Sequence, residues 1–181
     1  MDDVILTNWG KIDSLFTAYY GLISAAAIGG WYREYGNRLF AKNIRFYKGN
    51  TKVNDGIKRV LLQEPENFFY YNNGVKLSCK AIHRKAKDST NNATGLFMLE
   101  GGSLVYGAQT TGSIGAIFVD SPEQVSKAYV MVQIIALSQT SGETATQITK
   151  FSNEEARIII LRLIPLDGDQ HIDPCISTEK A

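Results

Sequence analysis

Cysteine is scarce in this sequence. Its 181 residues hold only Cys79 and Cys175, with no C-x-x-C pair, which excludes a disulfide framework or a thiolate zinc site read from spacing. Histidine is equally rare: His83 and His171 stand alone, and neither belongs to an HxxxH or HExxH pattern. No apolar run approaches the roughly 18 to 20 residues of a membrane span. Asp2 and Asp3, followed by only Val4 to Leu6, lack the cationic start and apolar stretch of a secretory signal. These absences predict a cytoplasmic protein with no membrane partner and no metal-ligand set.

What remains is ordinary globular material: 44% hydrophobic, 20% charged and 10% aromatic. A chain of this length buries roughly 70% of its unfolded surface, so a single domain over residues 1–181 needs no staple. Net charge is +1, but it is unevenly spread. Residues 33–87 carry thirteen Lys and Arg against four acids, a balance of +9. Residues 120–173 carry four bases against eight acids, a balance of −4. The first half is suited to a polyanion, and the alternative is that its lysines form solvated element faces.

Ile12, Leu15, Phe16, Tyr19, Leu22 and Ile23 recur at helical spacing, which predicts a first helix. Ser24 is the expected N-cap of a second helix ending at Gly36, weakened by Gly29 and Gly30. Leu39, Phe40, Ile44 and Tyr47 suggest a third, and Asn54 is the expected cap of a fourth running towards Pro65. Phe68–Tyr71 and Val75–Cys79 then read as two strands joined by Asn72-Asn73-Gly74, a turn suited to a hairpin. In such a hairpin one aromatic pair, Phe69 with Tyr71 or Phe68 with Tyr70, belongs to the core. His83 to Thr94 reads as a polar loop, Gly95–Leu99 and Ser103–Tyr106 as strands, Ala108–Phe118 as a helix, Tyr129–Leu137 as a buried strand and Glu143–Phe151 as a short helix. The resulting fold class is α+β, with N-terminal helices followed by a mainly antiparallel sheet with an embedded helix.

The segment from Leu104 to Gly115 has the form strand, glycine turn, hydroxyl-rich helix start. Unpaired amides and the helix dipole favour an anion there, and Gly107, Gln109, Thr110, Thr111 and Ser113 form a candidate phosphate-binding set. It lacks the lysine of a Walker A loop and the GxGxxG of a dinucleotide turn. The alternative is that the threonines cap a helix and the glycines pack. Arg45, Asn72, Asn73, Lys76 and Lys80 are candidate nucleic-acid contacts on the basic half, where aromatics alternate with bases. Glu154-Glu155 and Asp167–Asp169 read as solvated acids, Cys79 as a small buried residue, and no nucleophile with a matching base is visible, so no catalytic residue is assigned.

Several blocks in order resemble one family. They are Arg38-Leu39-Phe40-Ala41-Lys42-Asn43-Ile44-Arg45-Phe46-Tyr47, Val53-Asn54-Asp55-Gly56-Ile57, Pro65 through Gly74, Gly107-Ala108-Gln109-Thr110-Thr111, and Ile148-Thr149-Lys150 with Ser152-Asn153. Together they resemble the AIPR family, the abortive infection phage resistance proteins of bacteria, over about residues 20–153, leaving a divergent tail at 154–181. The Gly107 block is also similar to the strand-turn-helix blocks of ParB-like domains. Departures from the family pattern fall at Tyr106, Lys76 and Glu154-Glu155-Ala156.

The resemblance implies an antiphage-defence domain, and the helix start at Gly107–Ser113 adds the expectation that it binds nucleotide or nucleic-acid phosphates there, with magnesium as the accompanying ion for a nucleotide. Two alternatives stand beside it: a non-enzymatic module that senses or holds a phage or host protein, and a truncated inactive remnant of a larger defence protein.

Overall fold

A computed structural model describes residues 3–41, 51–85, 93–137, 146–148 and 150–151. The chain begins with strands, not helices. β1 (Asp3–Asp13) and β2 (Thr17–Ser24) form an antiparallel hairpin, followed by α1 (Ala25–Tyr35), a 3-10 turn at Gly36–Phe40, α2 (Lys52–Gln63), a second 3-10 turn at Pro65–Asn67 and α3 (Phe68–Tyr71). Then come β3 (Val75–Cys79), β4 (Ala81–Lys85), β5 (Thr94–Glu100), β6 (Ser103–Tyr106), α4 (Ala108–Phe118), α5 (Pro122–Ser126) and β7 (Tyr129–Ala136). One seven-stranded sheet runs in the order β4-β5-β1-β2-β7-β3-β6. Every neighbouring pair is antiparallel except β3 with β7. The α+β class and the mainly antiparallel sheet hold, while the helix-first order does not.

The expected first helix fails for a physical reason. β2 lies between β1 and β7, and its run Ala18-Tyr19-Tyr20-Gly21-Leu22-Ile23 offers apolar groups to both sides, so the period-2 signal is erased. Leu15 and Phe16 sit at the hairpin tip and complete a helical stripe only by coincidence; Leu15 is 88% exposed. The tip is held by Asp13, whose carboxylate accepts from Lys11 Nζ and Thr17 Oγ1, both at 2.7 Å. The Lys11 hydrogen bond, with that of Thr17, holds the Asp13 carboxyl below its usual range. This contact is present above the ordinary carboxylate pKa and is lost as pH falls through the lowered one.

α1 starts where expected, with Ser24 Oγ accepting the Ala26 amide at 3.2 Å. Its Gly29 receives the Phe118 ring, while Gly115 of α4 receives the Tyr32 ring, so the glycines that weaken α1 locally permit its close crossing with α4. α2 is capped by Thr51, whose hydroxyl accepts the Asn54 amide at 3.2 Å; Asn54, the expected cap, is buried inside the helix. Of the expected third helix, Leu39 and Phe40 lie in the 3-10 turn, and residues 42–50 lie outside the described residues. His83 stands on β4, not in a loop, with Nε2 2.9 Å from Glu100 Oε1. In the expected final helix, residues 146–148 and 150–151 are helical.

The helices share one core with a single face of the sheet. Val4, Leu6, Tyr19, Ile23, Leu77, Phe97, Val132 and Ile134 from the strands meet Ile28, Trp31, Leu61, Phe68, Ile114 and Val125 from the helices. At the β1–β2–β5 end, Phe97 packs at 4.8 Å from Tyr19 and edge-on at 5.4 Å from Trp9. The Arg84 guanidinium covers the outer side of Trp9 at 4.6 Å.

Candidate nucleic-acid interface at the start of α4

β6 runs into α4 through Gly107, whose φ of +90° is a backbone conformation natural to glycine. A side chain there would also collide: a Cβ would stand 2.7 Å from Val75 Cγ1 and 2.9 Å from the Gly74 carbonyl oxygen. As an N-cap, glycine offers no oxygen to the first-turn amides, and that turn carries no acidic residue. The positive end of the α4 dipole is therefore not neutralised by its own sequence.

The second wall comes from 38 residues earlier. Asn72 follows α3, and its side chain bonds both ways: Oδ1 accepts the Gly74 amide at 2.9 Å and, at a longer 3.4 Å, the Thr110 hydroxyl, while Nδ2 donates to Thr110 Oγ1 at 3.0 Å. Gly74 has φ +78°, and its Cα lies against the Met131 carbonyl as the chain enters the parallel pairing of β3 with β7. Asn72-Asn73-Gly74 is thus not the hairpin turn expected. A two-residue hairpin of that kind requires positive φ at both central residues, whereas Gly74 alone of the three has it. The aromatic run before it is a single helical turn instead of a strand. Phe68 is buried at 1% exposure and Phe69 is half-buried, while Tyr70 and Tyr71 are 77% and 64% exposed. Phe69 meets the Tyr70 ring edge-on at 5.2 Å.

The structure therefore brings Asn72, Asn73, Gly107, Gln109 and Thr110 to one junction, with Gly107 and Gln109 partly open to solvent and Asn73 exposed. Thr111 and Ser113 are wholly buried further along α4, and their hydroxyls have no hydrogen-bond partner among the described residues. Lys76 is half-buried on β3 between core residues Val75 and Leu77, so its side chain leaves on the sheet face opposite α4; its ammonium lies 5.8 Å from the Tyr106 ring. Lys80 stands just past β3, six residues or about 20 Å along an extended chain from Gly74. Arg45 lies outside the described residues.

Sequence reasoning selected both halves of the junction but not their meeting, because no local pattern encodes a contact across 38 residues. It also missed the exposed tyrosines by reading them as a strand. Among the described residues no group of three or more His, Cys, Asp or Glu is arranged to hold a metal ion, and no helix is long and apolar enough to cross a membrane.

The architecture is a helix-covered, mainly antiparallel sheet with a glycine-started helix abutting an Asn-Asn-Gly turn. The family described as AIPR protein matches residues 40–167, which spans both halves of this junction, and the chain belongs to that family. No curated protein and no solved structure matches the chain.

Proposed function

We propose that this chain is an antiphage-defence domain that binds the phosphates of a nucleotide or nucleic acid at the start of α4, with the bases stacking on Tyr70 and Tyr71. The observation that carries this reading is the exposure of two adjacent tyrosines immediately before Asn72, the residue hydrogen-bonded to Thr110 in the first turn of α4. Exposed aromatics stack bases of any sequence, and helix-start amides hold phosphate oxygens. Family membership supports the defence role.

In this reading the Gly107, Gln109 and Thr110 backbone faces the phosphate, and Asn73 and the Gln109 side chain add polar contacts. Thr111 and Ser113 support the helix start from the interior. Lys80, about 20 Å away along the chain and so two screening lengths off at physiological salt, contributes only to the wider positive field of residues 33–87, as does Lys76, whose side chain leaves on the opposite face of the sheet.

The test is a thermal melt with nucleotides, with and without magnesium, and with short single-stranded oligonucleotides. A ligand at a hundred times its dissociation constant raises stability by about 2.7 kcal/mol if it binds only the folded state. The expected result is a shift for one of these ligands that falls steeply with salt and disappears in Asn72→Ala, measured against that variant's own ligand-free melt. A parent protein that no phosphate compound shifts would refute the reading.

A further inference from the structure

Asn73 is followed by Gly74, the one asparagine-glycine pair in the chain. Glycine carries no Cβ, so no side chain on residue 74 shields the Asn73 amide carbon from the backbone nitrogen of residue 74. Asn73 is exposed and lies in neither helix nor strand, between the end of α3 at Tyr71 and the start of β3 at Val75. These features favour spontaneous deamidation. The fold opposes it. The Gly74 amide, which is the nucleophile of that reaction, donates to Asn72 Oδ1 at 2.9 Å, and the Asn72 side chain is fixed in turn by its 3.0 Å bond to Thr110 Oγ1. Gly74 is itself buried with its Cα against the Met131 carbonyl, and the next residue, Val75, is paired with Val132 of β7.

We propose that Asn73 is a self-modification site and that the Asn72 side chain is the guard that sets its rate. In the reaction the Gly74 nitrogen gives up its proton to water or hydroxide and bonds to Asn73 Cγ. The Cγ–Nδ2 bond then breaks, and Nδ2 leaves as ammonia after taking a proton from water. The five-membered succinimide that remains is opened by one water at either of its carbonyls, giving aspartate or isoaspartate at position 73. Water is the only co-reactant, and nothing is oxidised or reduced. While Asn72 Oδ1 accepts the Gly74 N–H, that proton is directed at Asn72 and away from solvent, and the nitrogen must first leave this bond before it can reach Asn73 Cγ. Release also requires the turn to rotate about a glycine held against the backbone of β7. The product carries a carboxylate beside the first turn of α4, which has no acidic residue of its own, so the modification changes the charge at the start of that helix whatever ligand it takes.

Peptide mass spectrometry of the full chain, held in mildly alkaline buffer below its melting temperature and in guanidinium chloride, beside Asn72→Ala under both conditions, tests the proposal. The parent is expected to deamidate at Asn73 several-fold more slowly when folded than in denaturant. Asn72→Ala, shown to be folded by its own cooperative melt, is expected to deamidate about two- to tenfold faster than the folded parent, the change in free amide that loss of one hydrogen bond produces. In denaturant the two chains are expected to share one rate, because the guard exists only in the fold. A parent that deamidates as fast folded as unfolded overturns the proposal with no need of the variant, and so does a chain left unmodified at position 73 even in denaturant. A folded Asn72→Ala chain no faster than the parent overturns it as well. So does a gain in rate that persists undiminished in denaturant, because the identity of the neighbouring residue, and not the turn, then sets the rate.

Discussion

Gly74→Ala is expected to destabilise the protein by about 3 kcal/mol and to abolish phosphate-ligand binding. Two costs combine. The backbone at residue 74 has φ +78°, a region that costs an L-residue about 1 to 2 kcal/mol. The added methyl would also overlap the Met131 carbonyl oxygen and approach Met131 Cβ at 3.1 Å. That carbonyl belongs to a strand held between β2 and β3, so it cannot retreat as a flexible side chain would, and overpacking of this kind costs about 1 to 3 kcal/mol. Any relief must come from moving the turn, and the turn carries the Asn72 side chain that holds Thr110. Urea titration gives the stability and ligand-induced melting shifts give the binding. An alanine variant with parental stability and binding would mean that the turn is not held as described.

Phe97→Ala is expected to cost more stability, about 3 to 5 kcal/mol, and to leave binding per folded molecule unchanged. The ring has no exposed surface and fills the space between Trp9 and Tyr19. Its loss leaves a cavity against two large rings whose own positions are set by the sheet. For a chain of this size each kcal/mol lowers the melting temperature by about 2 to 4 °C, so a fall of about 10 °C is expected. β5 is separated from β7 and β3 by β1 and β2, so the damage is remote from α4. Together the two variants separate a folding defect from a site defect. Binding lost equally in both would place the ligand, or the coupling, outside the α4 junction.

The sequence made parts of this fold legible where local chemistry and tertiary context agree. Ser24 caps α1 as its side chain requires, Ala108–Phe118 is helical between a glycine start and a β-branched interior, and Tyr129–Ala136 is a strand whose Val130, Val132, Ile134 and Ile135 are buried while Tyr129 and Met131 are exposed. Legibility failed where neighbours decide. β2 is apolar on both faces because it is central, which mimics a helical stripe, and Phe68–Tyr71 is aromatic because Phe68 anchors one helical turn while Tyr70 and Tyr71 project outward. The site shows the same division. Gly107 and Thr110 stand out through the strand-glycine-helix pattern, but only the folded chain brings Asn72 to Thr110, and only the folded chain sends Lys76 to the other face of the sheet.

The central claim is that the Asn72–Gly74 turn and the first turn of α4 form one anion-binding junction. An amide-resolved NMR titration of the protein with inorganic pyrophosphate tests it most directly, because it reads the backbone groups themselves. The account predicts saturable shifts centred on the amides of Gly74, Gly107, Gln109 and Thr110, weakened by added salt, with Leu96, Phe97 and Met98 on β5 unmoved. Shifts confined to residues around surface lysines such as Lys80 and Lys127, or no shift at the start of α4, would contradict it.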